Sequence, residues 1–469
     1  MTPWVGRAGS ANTDFKMKGS EMDFAKRAHD HNFRMDPIIR ERDDIDFYKA
    51  TMLQVVNERH PFTQTEWEVD NRTKDVRLAD LFSVEEVREQ LDHAQSLHWS
   101  KSALINLRGQ SYYGKEGMFS SSFVSSLGAS KLPDYELAAD PETGQFKLRT
   151  AGTWLASSQW ETMFTCVLNE LRNRAILRKL SKSQIDILYA RAKTKLYAKL
   201  ERIKERPELL VSDFGTRRRH SFLWQEWAVL TACEVLGNQF VGTSNIHLAH
   251  KHELEAKGTN AHEMPMVYAA LAAGDGPEAL RASQYQVLRD WHSTYGTYIQ
   301  VFLPDTFGTT QFLEDFPADL MPWDWTGYRP DSKEAFEAGE EAIGFWTRVG
   351  ADPAKKLCLF ADGLDVAVPG HEINGTDMIT VHDRFHGRLT DSYGWGTMLT
   401  NDFIGCVPGK PDALKPISLV CKVARANGRA AVKISDNPSK ARSPDPAELA
   451  YYLETFGHAG VGEARATLV

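Results

Sequence analysis

From Leu209 onward the chain repeats one local pattern, a short apolar run ending in Gly, Thr, Ser or Asp. LLVSDFGT, QFVGTSN, TYIQVFLPDTFG, KLCLFADGLD and RLTDSYGWGT all carry it, and helical stretches such as SFLWQEWAVLTACEVLG and SKEAFEAGEEAIGFWTRVG separate several of them. Buried strands that alternate with helices imply parallel α/β structure, because parallel strands need a crossover between them. The polar residues then gather at the carboxyl ends of the strands. Ligands bind there in barrels and open sheets alike, since the loops converge at that end.

The segment before Leu209 follows another rhythm. DFYKATMLQVVNE spaces apolar or aromatic residues at 48, 52, 55 and 56, which predicts a helix. EVDNRT reads as a strand, and Ser83 caps a following helix with Glu86 completing a capping box. KLPDYELAADPETGQFKLRTAG predicts a strand, a turn at PETG and a second strand. SSQWETMFTCVLNELRNRAIL and SQIDILYARAKTKLYAKLERIKE predict two long amphipathic helices. PISLVCKVARANGRAAVKISDNPSK reads as an antiparallel hairpin turning at ANGR, able to return to the N-terminal part. The expected organisation is a flexible extension over 1–40, an α+β domain over 41–150 completed by about 415–469, and an α/β catalytic domain over 151–414.

A net charge of -8 argues against nonspecific DNA binding, although small anions need only a local basic pocket. The five cysteines, at 166, 233, 358, 406 and 421, form no CxxC pair and read as reduced thiols of a cytoplasmic protein. No run approaches the roughly 18 apolar residues of a membrane span. The first two dozen or so residues read as a disordered leader, and Met22 is an equally good start.

Several strand ends carry groups suited to anions. DFGTRRR sets three arginines after a Gly-Thr turn, and diverging side chains let one or two of them reach a common ligand. GYRPDS joins Arg329, for an anion, to Asp331, for sugar hydroxyls or hydrated magnesium. The glycines of FADGLD and SYGWGT let backbone N–H groups approach phosphate. Neither a P-loop nor a GxGxxG fingerprint is present.

GTSNIHLAHKHELEAKGTNAHEMP holds four histidines. His247, His250 and His252 lack the HExxH pattern, and their spacing does not bring all three together on a helix. His262 reads either as a core histidine or as a nucleophile toward phosphoryl groups, its ring oriented by Glu263 or another carboxylate.

DFYK at 46–49, DFGTRRR at 213–219, VGTSN at 241–245, GTNAHE at 258–263, RPDS at 329–332, FADGLD at 360–365 and YGWGTMLTND at 393–402, taken in order, resemble nicotinate phosphoribosyltransferase. The resemblance runs from about Asp46 to Lys440. It implies the type II phosphoribosyltransferase fold, an irregular α/β barrel beside an α+β domain, in a homodimer with shared active sites. The implied reaction joins nicotinate to 5-phosphoribosyl 1-diphosphate, giving nicotinate mononucleotide and diphosphate in NAD salvage. ATP is a co-substrate through a phosphohistidine, which places the enzyme in the carbon-nitrogen ligase class. Magnesium is expected bound to substrate rather than in a fixed protein site, with no nucleic acid or membrane partner.

Residue by residue, His262 matches the phosphorylated histidine of the family. Phe214 and Tyr48, the latter from the other subunit, match the pair that stacks the pyridine ring. Arg217 matches an arginine holding the base and phosphoribosyl group. Ser244 stands where nicotinamide-using relatives carry an aspartate, so a neutral donor can accept the nicotinate carboxylate. Arg329 and Asp331 match phosphate and ribose contacts, and Asp305 and Asp362 are further ribose or magnesium-side candidates. Gly363, Gly394, Gly396 and Thr397 match a 5′-phosphate cradle. Lys333 and Trp395 depart from the family pattern: Lys333 replaces a glycine and adds either a phosphate contact or bulk in a tight loop, and Trp395 replaces a smaller apolar residue, which implies a different phosphate-loop geometry. Two other readings are a quinolinate phosphoribosyltransferase, without histidine or ATP coupling, and a nucleotide-binding regulatory protein.

Overall fold

The computed structural model describes residues 37–111 and 117–462. Helix α1 (Phe47–Arg59) is the first helix among the described residues and leads to strand β1 (Gln64–Asn71). Helix α2 (Val84–Ser96) follows the Ser83 cap, where the Ser83 side chain accepts from the Glu86 N–H and the Glu86 carboxylate accepts from Ser83. Strands β2 (Tyr135–Asp140) and β3 (Gln145–Thr153) form the PETG hairpin, with Gly144 at φ +66°. Next come the two long helices, α3 (Trp160–Leu177) and α4 (Lys182–Lys204).

The parallel part contributes β4 (Val211–Asp213), β5 (Phe240–Thr243), β6 (Val301–Phe302), β7 (Gly327–Tyr328) and β8 (Leu357–Phe360). A small parallel pair, β9 (Leu364–Asp365) and β10 (Thr376–Asp377), precedes β11 (Thr390–Trp395). Strands β12 (Leu419–Ala426) and β13 (Arg429–Ala430) then turn through Asn427 and Gly428 at φ +46° and +82°, the left-handed pair a tight hairpin requires.

Two sheets result. One is parallel, in the order β5-β4-β11-β8-β7-β6, and its ladder among the described residues runs between two edges without closing. The other is antiparallel, in the order β13-β12-β1-β3-β2, so the last strands of the chain complete a sheet begun near its start. Trp67 stands opposite Val423 and Glu68 opposite Lys422 in that pairing.

Each sheet has its own core. Trp67, Trp160, Phe164, Leu419 and Val423 belong to one cluster, and Phe302, Tyr328, Phe360, Tyr393 and Trp395 to the other. Helix α3 corrects one expectation. It is not amphipathic, because every residue from Trp160 to Leu177 except Ile176 is buried, including Glu161, Glu170, Arg172 and Arg174. Its polar groups are paired inside, as Arg174 is with Glu170 at 2.8 Å, so the sequence period understates its burial. Most of the expected flexible extension, 1–40, lies outside the described residues. Ile38 and Ile39 at its end are core, at 0% and 1% exposure. No helix among the described residues is long and apolar enough to cross a membrane.

Candidate active site at the strand carboxyl ends

One cleft lies between the two sheets. Tyr48, Phe214, Arg217, His262, Arg329, Asp331, Gly363, Gly396 and Thr397 line it, bringing together most of the residues singled out from sequence. Their positions follow from topology: Phe214 and Arg217 follow β4, His262 follows β5, Asp331 follows β7, Gly363 follows β8, and Gly396 follows β11. Every one sits beyond a carboxyl end, where the strand alternation placed the chemistry.

His262 immediately precedes α5 (Glu263–Ala272) and is 5% exposed. The loop carrying it folds back on β5, where Gly242 adopts φ +132° and a Cβ would strike the Glu255 carbonyl at 2.1 Å. The ring Nε2 lies 2.9 and 3.0 Å from the two carboxylate oxygens of Asp305, which follows β6. An ionised carboxylate only accepts, so Nε2 carries the proton and Nδ1 keeps its lone pair. Nδ1 stands 3.6 Å from Asp331, too far for a hydrogen bond. Burial lowers the His262 pKa to about 4, Asp305 opposing and Lys433 adding to the shift. Burial works against the Asp305 charge too, but His262 and Lys433, the latter at 3.6 Å, hold its pKa below the usual carboxylate range. The result is a neutral, oriented imidazole with its free nitrogen toward the cleft.

Glu263 does not orient that ring. It accepts from Trp154 Nε1 at 2.9 Å and Ser158 Oγ at 2.6 Å, and it pairs with Lys49. Asp305, expected on the ribose side, is the orienting carboxylate instead and does not line the cleft. Asp362 is paired with Lys440, a residue of the cleft wall, at 2.6 Å. Gly394 lies behind the Phe214 ring, where a Cβ would sit 3.1 Å from the aromatic carbons. Its lack of a side chain seats that ring.

Ser244 differs most from its expected role. Fully buried, it donates to Asp46 at 2.7 Å and does not reach the cleft. Asp46 in turn lies 3.3 Å from Arg217, so Ser244 acts on the cleft only through that pair. Tyr48, expected from a partner subunit, lines the same cleft as Phe214 of its own chain. Its hydroxyl donates to Glu161 at 3.1 Å, and the Arg217 guanidinium lies 5.5 Å from its ring centre. Lys333 makes no phosphate contact in this geometry, being turned to Glu341 at 2.7 Å and Thr310 at 2.9 Å. The bulk of Trp395 is taken into the core at 0% exposure.

The three adjacent arginines diverge as consecutive side chains must. Arg217 and Arg218 line the cleft, whereas Arg219 is buried in a two-pronged pair with Asp44 at 2.7 Å each. His247, His250 and His252 also separate, facing Asp43, Ser102 and Glu226 respectively.

Sequence reasoning missed one wall of the cleft. Arg72 follows β1, Lys422 lies on β12, and Lys433 and Lys440 follow β13. With Arg217, Arg218 and Arg329 they set seven Lys or Arg residues against three carboxylates, Glu161, Glu263 and Asp331. That excess suits a polyanion. Burial lowers the Lys422 pKa to about 7, an effect an incoming anion would reverse. The Thr397 hydroxyl and Arg329 Nε are buried without a hydrogen-bond partner among the described residues, both beside this cleft. No local motif marks these four cations, which only the pairing of the returning β12 with β1 brings to one wall.

A basic cleft over parallel strand ends, lined by aromatics and a neutral buried histidine, has the chemistry that suits phosphorylated ligands and a flat ring. Comparison with known families is consistent with this. Residues 209–459 match the nicotinate phosphoribosyltransferase (NAPRTase) family, and residues 44–169 match the N-terminal domain of the same family. The chain belongs to the nicotinate phosphoribosyltransferase family. A nicotinate phosphoribosyltransferase structure from Vibrio cholerae is 27% identical with a TM-score of 0.77, over 91% of this chain and 95% of that one. Another, from Porphyromonas gingivalis, is 24% identical with a TM-score of 0.75, over 90% of this chain and 100% of that one, a likeness of fold.

Proposed function

We propose that the protein forms nicotinate mononucleotide and diphosphate from nicotinate and 5-phosphoribosyl 1-diphosphate, coupled to ATP, in NAD salvage. The parallel sheet is, on this reading, the core of the irregular barrel of a type II phosphoribosyltransferase. The observation that carries the proposal is the neutral His262 ring, held by Asp305 at Nε2 and without a hydrogen bond at Nδ1, in a cleft that seven Lys or Arg side chains line.

Nicotinate lies between Phe214 and Tyr48, its flat faces against theirs. Arg217 and Lys422 neutralise its carboxylate, a role that Ser244 is too buried to play. Arg329, Lys433 and Lys440 hold diphosphate, while Gly363, Gly396 and Thr397 hold the 5′-phosphate. When diphosphate leaves ribose C1, positive charge develops there, and Asp331 is the carboxylate placed to stabilise it. Magnesium enters with the substrate phosphates and neutralises the leaving group. His262, Asp305 and Asp331 each offer a ligand atom within 4.8 Å of the others. Both Asp305 oxygens face the His262 N–H, so only Asp331 fits an oxygen-seeking magnesium.

In the ATP half of the cycle the Nδ1 lone pair attacks the γ-phosphorus. The P–N bond forms, the bond to the bridging oxygen breaks, and ADP leaves. Asp305 stabilises the positive charge that the ring acquires. Two unit charges about 4 Å apart interact by roughly 4 kcal/mol at an effective dielectric near 20. One phosphoryl group in this cleft, at that distance from the diphosphate-binding cations, is therefore enough to change diphosphate affinity by orders of magnitude.

Purified protein given nicotinate, nicotinamide or quinolinate, with and without ATP, tests this reading. Nicotinate should be strongly preferred and stimulated by ATP. Preference for quinolinate, whose second carboxylate needs its own cation, would favour the related enzyme, and absence of product from all three would favour a regulatory protein.

The His262 pKa gives a pH signature. Its folded value lies below the ordinary one near 6.5, so the neutral nucleophile persists as pH falls to about 4. Initial rates of self-phosphorylation should stay level from pH 7 to pH 5. An acid limb near 6.5 would mean that the ring is not desolvated as described.

A further inference from the structure

Helix α6 (Met378–Phe385) ends at His386, and a tight turn through Gly387, at φ +75°, returns the chain to β11. His382 and His386 are four residues apart, with ring centres 4.9 Å apart and planes tilted by 42°. Asp391, near the start of β11, faces them, with one of its oxygens 2.7 Å from His382 Nδ1 and 2.9 Å from the Tyr393 hydroxyl that donates to it. One ligand atom from each of His382, His386 and Asp391 lies within 4.8 Å of the other two.

The surrounding charges single out Asp391. Arg384 and Arg388 are both paired with Glu340, at 2.6 and 2.7 Å, and Asp383 is paired with Arg206 at 2.7 Å. Asp391 is buried at 7% exposure, and among the described residues no Lys or Arg forms an ion pair with it. A buried carboxylate is costly without a counter-charge. Here two imidazoles, rather than a basic side chain, stand beside it.

We propose that His382, His386 and Asp391 bind a divalent transition cation of the zinc type. Two nitrogens and one carboxylate oxygen are a ligand set for such an ion, with water completing a four-coordinate site. Ligand bonds of about 2.0–2.2 Å require ligand atoms roughly 3.3 Å apart, so His382 Nδ1 and the Asp391 oxygen, now 2.7 Å apart, must open slightly while His386 draws in. His386 is exposed and free to swing inward, while His382 and Asp391 are already fixed. The ion takes the place of the proton between His382 Nδ1 and Asp391, the ring tautomerising so that Nε2 carries that proton, and Tyr393 continues to orient the carboxylate.

The site is distinct from the cleft, because Asp391 stands near the start of β11 while Gly396 and Thr397 line the cleft beyond its other end. A bound ion would tie the α6–β11 turn together, which is a structural role independent of the proposed reaction.

The full-length protein, stripped with chelator and then titrated with zinc, tests the site by calorimetry, with cobalt absorption as a second readout. One equivalent should bind, and at about 100-fold excess over Kd the Tm should rise by about 3 °C. His386→Ala, an exposed position, should abolish binding and the Tm rise while leaving the chelated Tm and nucleotide formation unchanged. His262→Asn should leave zinc binding and its Tm rise intact. Absence of zinc binding would overturn the proposal, as would binding that survives His386→Ala or disappears only in His262→Asn.

Discussion

His262→Asn should lose all acid-labile label from γ-labelled ATP, while ATP-independent formation of nicotinate mononucleotide continues within about tenfold of the parent rate. The substitution removes the nucleophilic nitrogen and keeps a neutral hydrogen-bonding side chain beside Asp305. If His262 serves only to carry phosphate, the ribosyl step does not need it, and the loss is confined to ATP stimulation. If both activities fall together, the ring is instead an electrostatic anchor of the ribosyl step. The structure also specifies which nitrogen is modified. Nε2 is occupied by its bond to Asp305, so mapping under conditions that preserve phosphoramidates should find Nδ1 phosphorylated. A stoichiometric label on His247, His250 or His252, with His262 unmodified, would overturn the assignment. Those three side chains face Asp43, Ser102 and Glu226, away from the basic cleft.

Local chemistry was legible in the sequence wherever neighbouring residues decide the structure. The Ser83–Glu86 capping box and the Asn427–Gly428 turn rest on a few consecutive side chains, and both formed as their residues dictate. The strand ends were legible because alternation of strand and helix fixes the side on which loops gather. Partners distant in sequence were not legible. Asp305 and Glu263 were both available carboxylates near His262, and only the three-dimensional path of the chain after β6 chose Asp305. Ser244 follows a strand end as a specificity residue should, yet Asp46 takes its hydroxyl. The cations Arg72, Lys422, Lys433 and Lys440 reach the cleft because β12 pairs with β1, a contact across some 350 residues. Such a wall has no motif, since each residue alone reads as a solvated surface charge. Helix α3 escaped for a related reason: its buried ionic groups are neutralised by partners that a periodicity count does not see.

Equimolar mixtures of Tyr48→Ala and Phe214→Ala proteins should show no more activity than the average of the two variants measured alone. Each truncation removes one face of the proposed pyridine sandwich, and stacking of a base on an aromatic is worth about 1–3 kcal/mol, so each variant should lose roughly 10- to 100-fold in kcat/KM. Were Tyr48 lent by a partner, a mixed dimer would hold one site with both native aromatics, and about a quarter of native activity would return. The geometry predicts otherwise. Tyr48 is fixed within its own chain by Glu161, and its backbone is approached so closely by Gly258 that a Cβ there would lie 2.6 Å from the Tyr48 nitrogen. The same contact ties the DFYK segment to the loop that carries His262, with Thr51 donating to the Thr259 carbonyl at 2.5 Å. Tyr48 and His262 are thus positioned by one packed unit, and exchanging subunits cannot separate them. Differently tagged copies would establish whether chains exchange at all. If exchange is verified and activity returns, the working site draws Tyr48 from a second chain; if it does not, one chain carries a complete aromatic pocket, and specific activity should also hold constant on dilution.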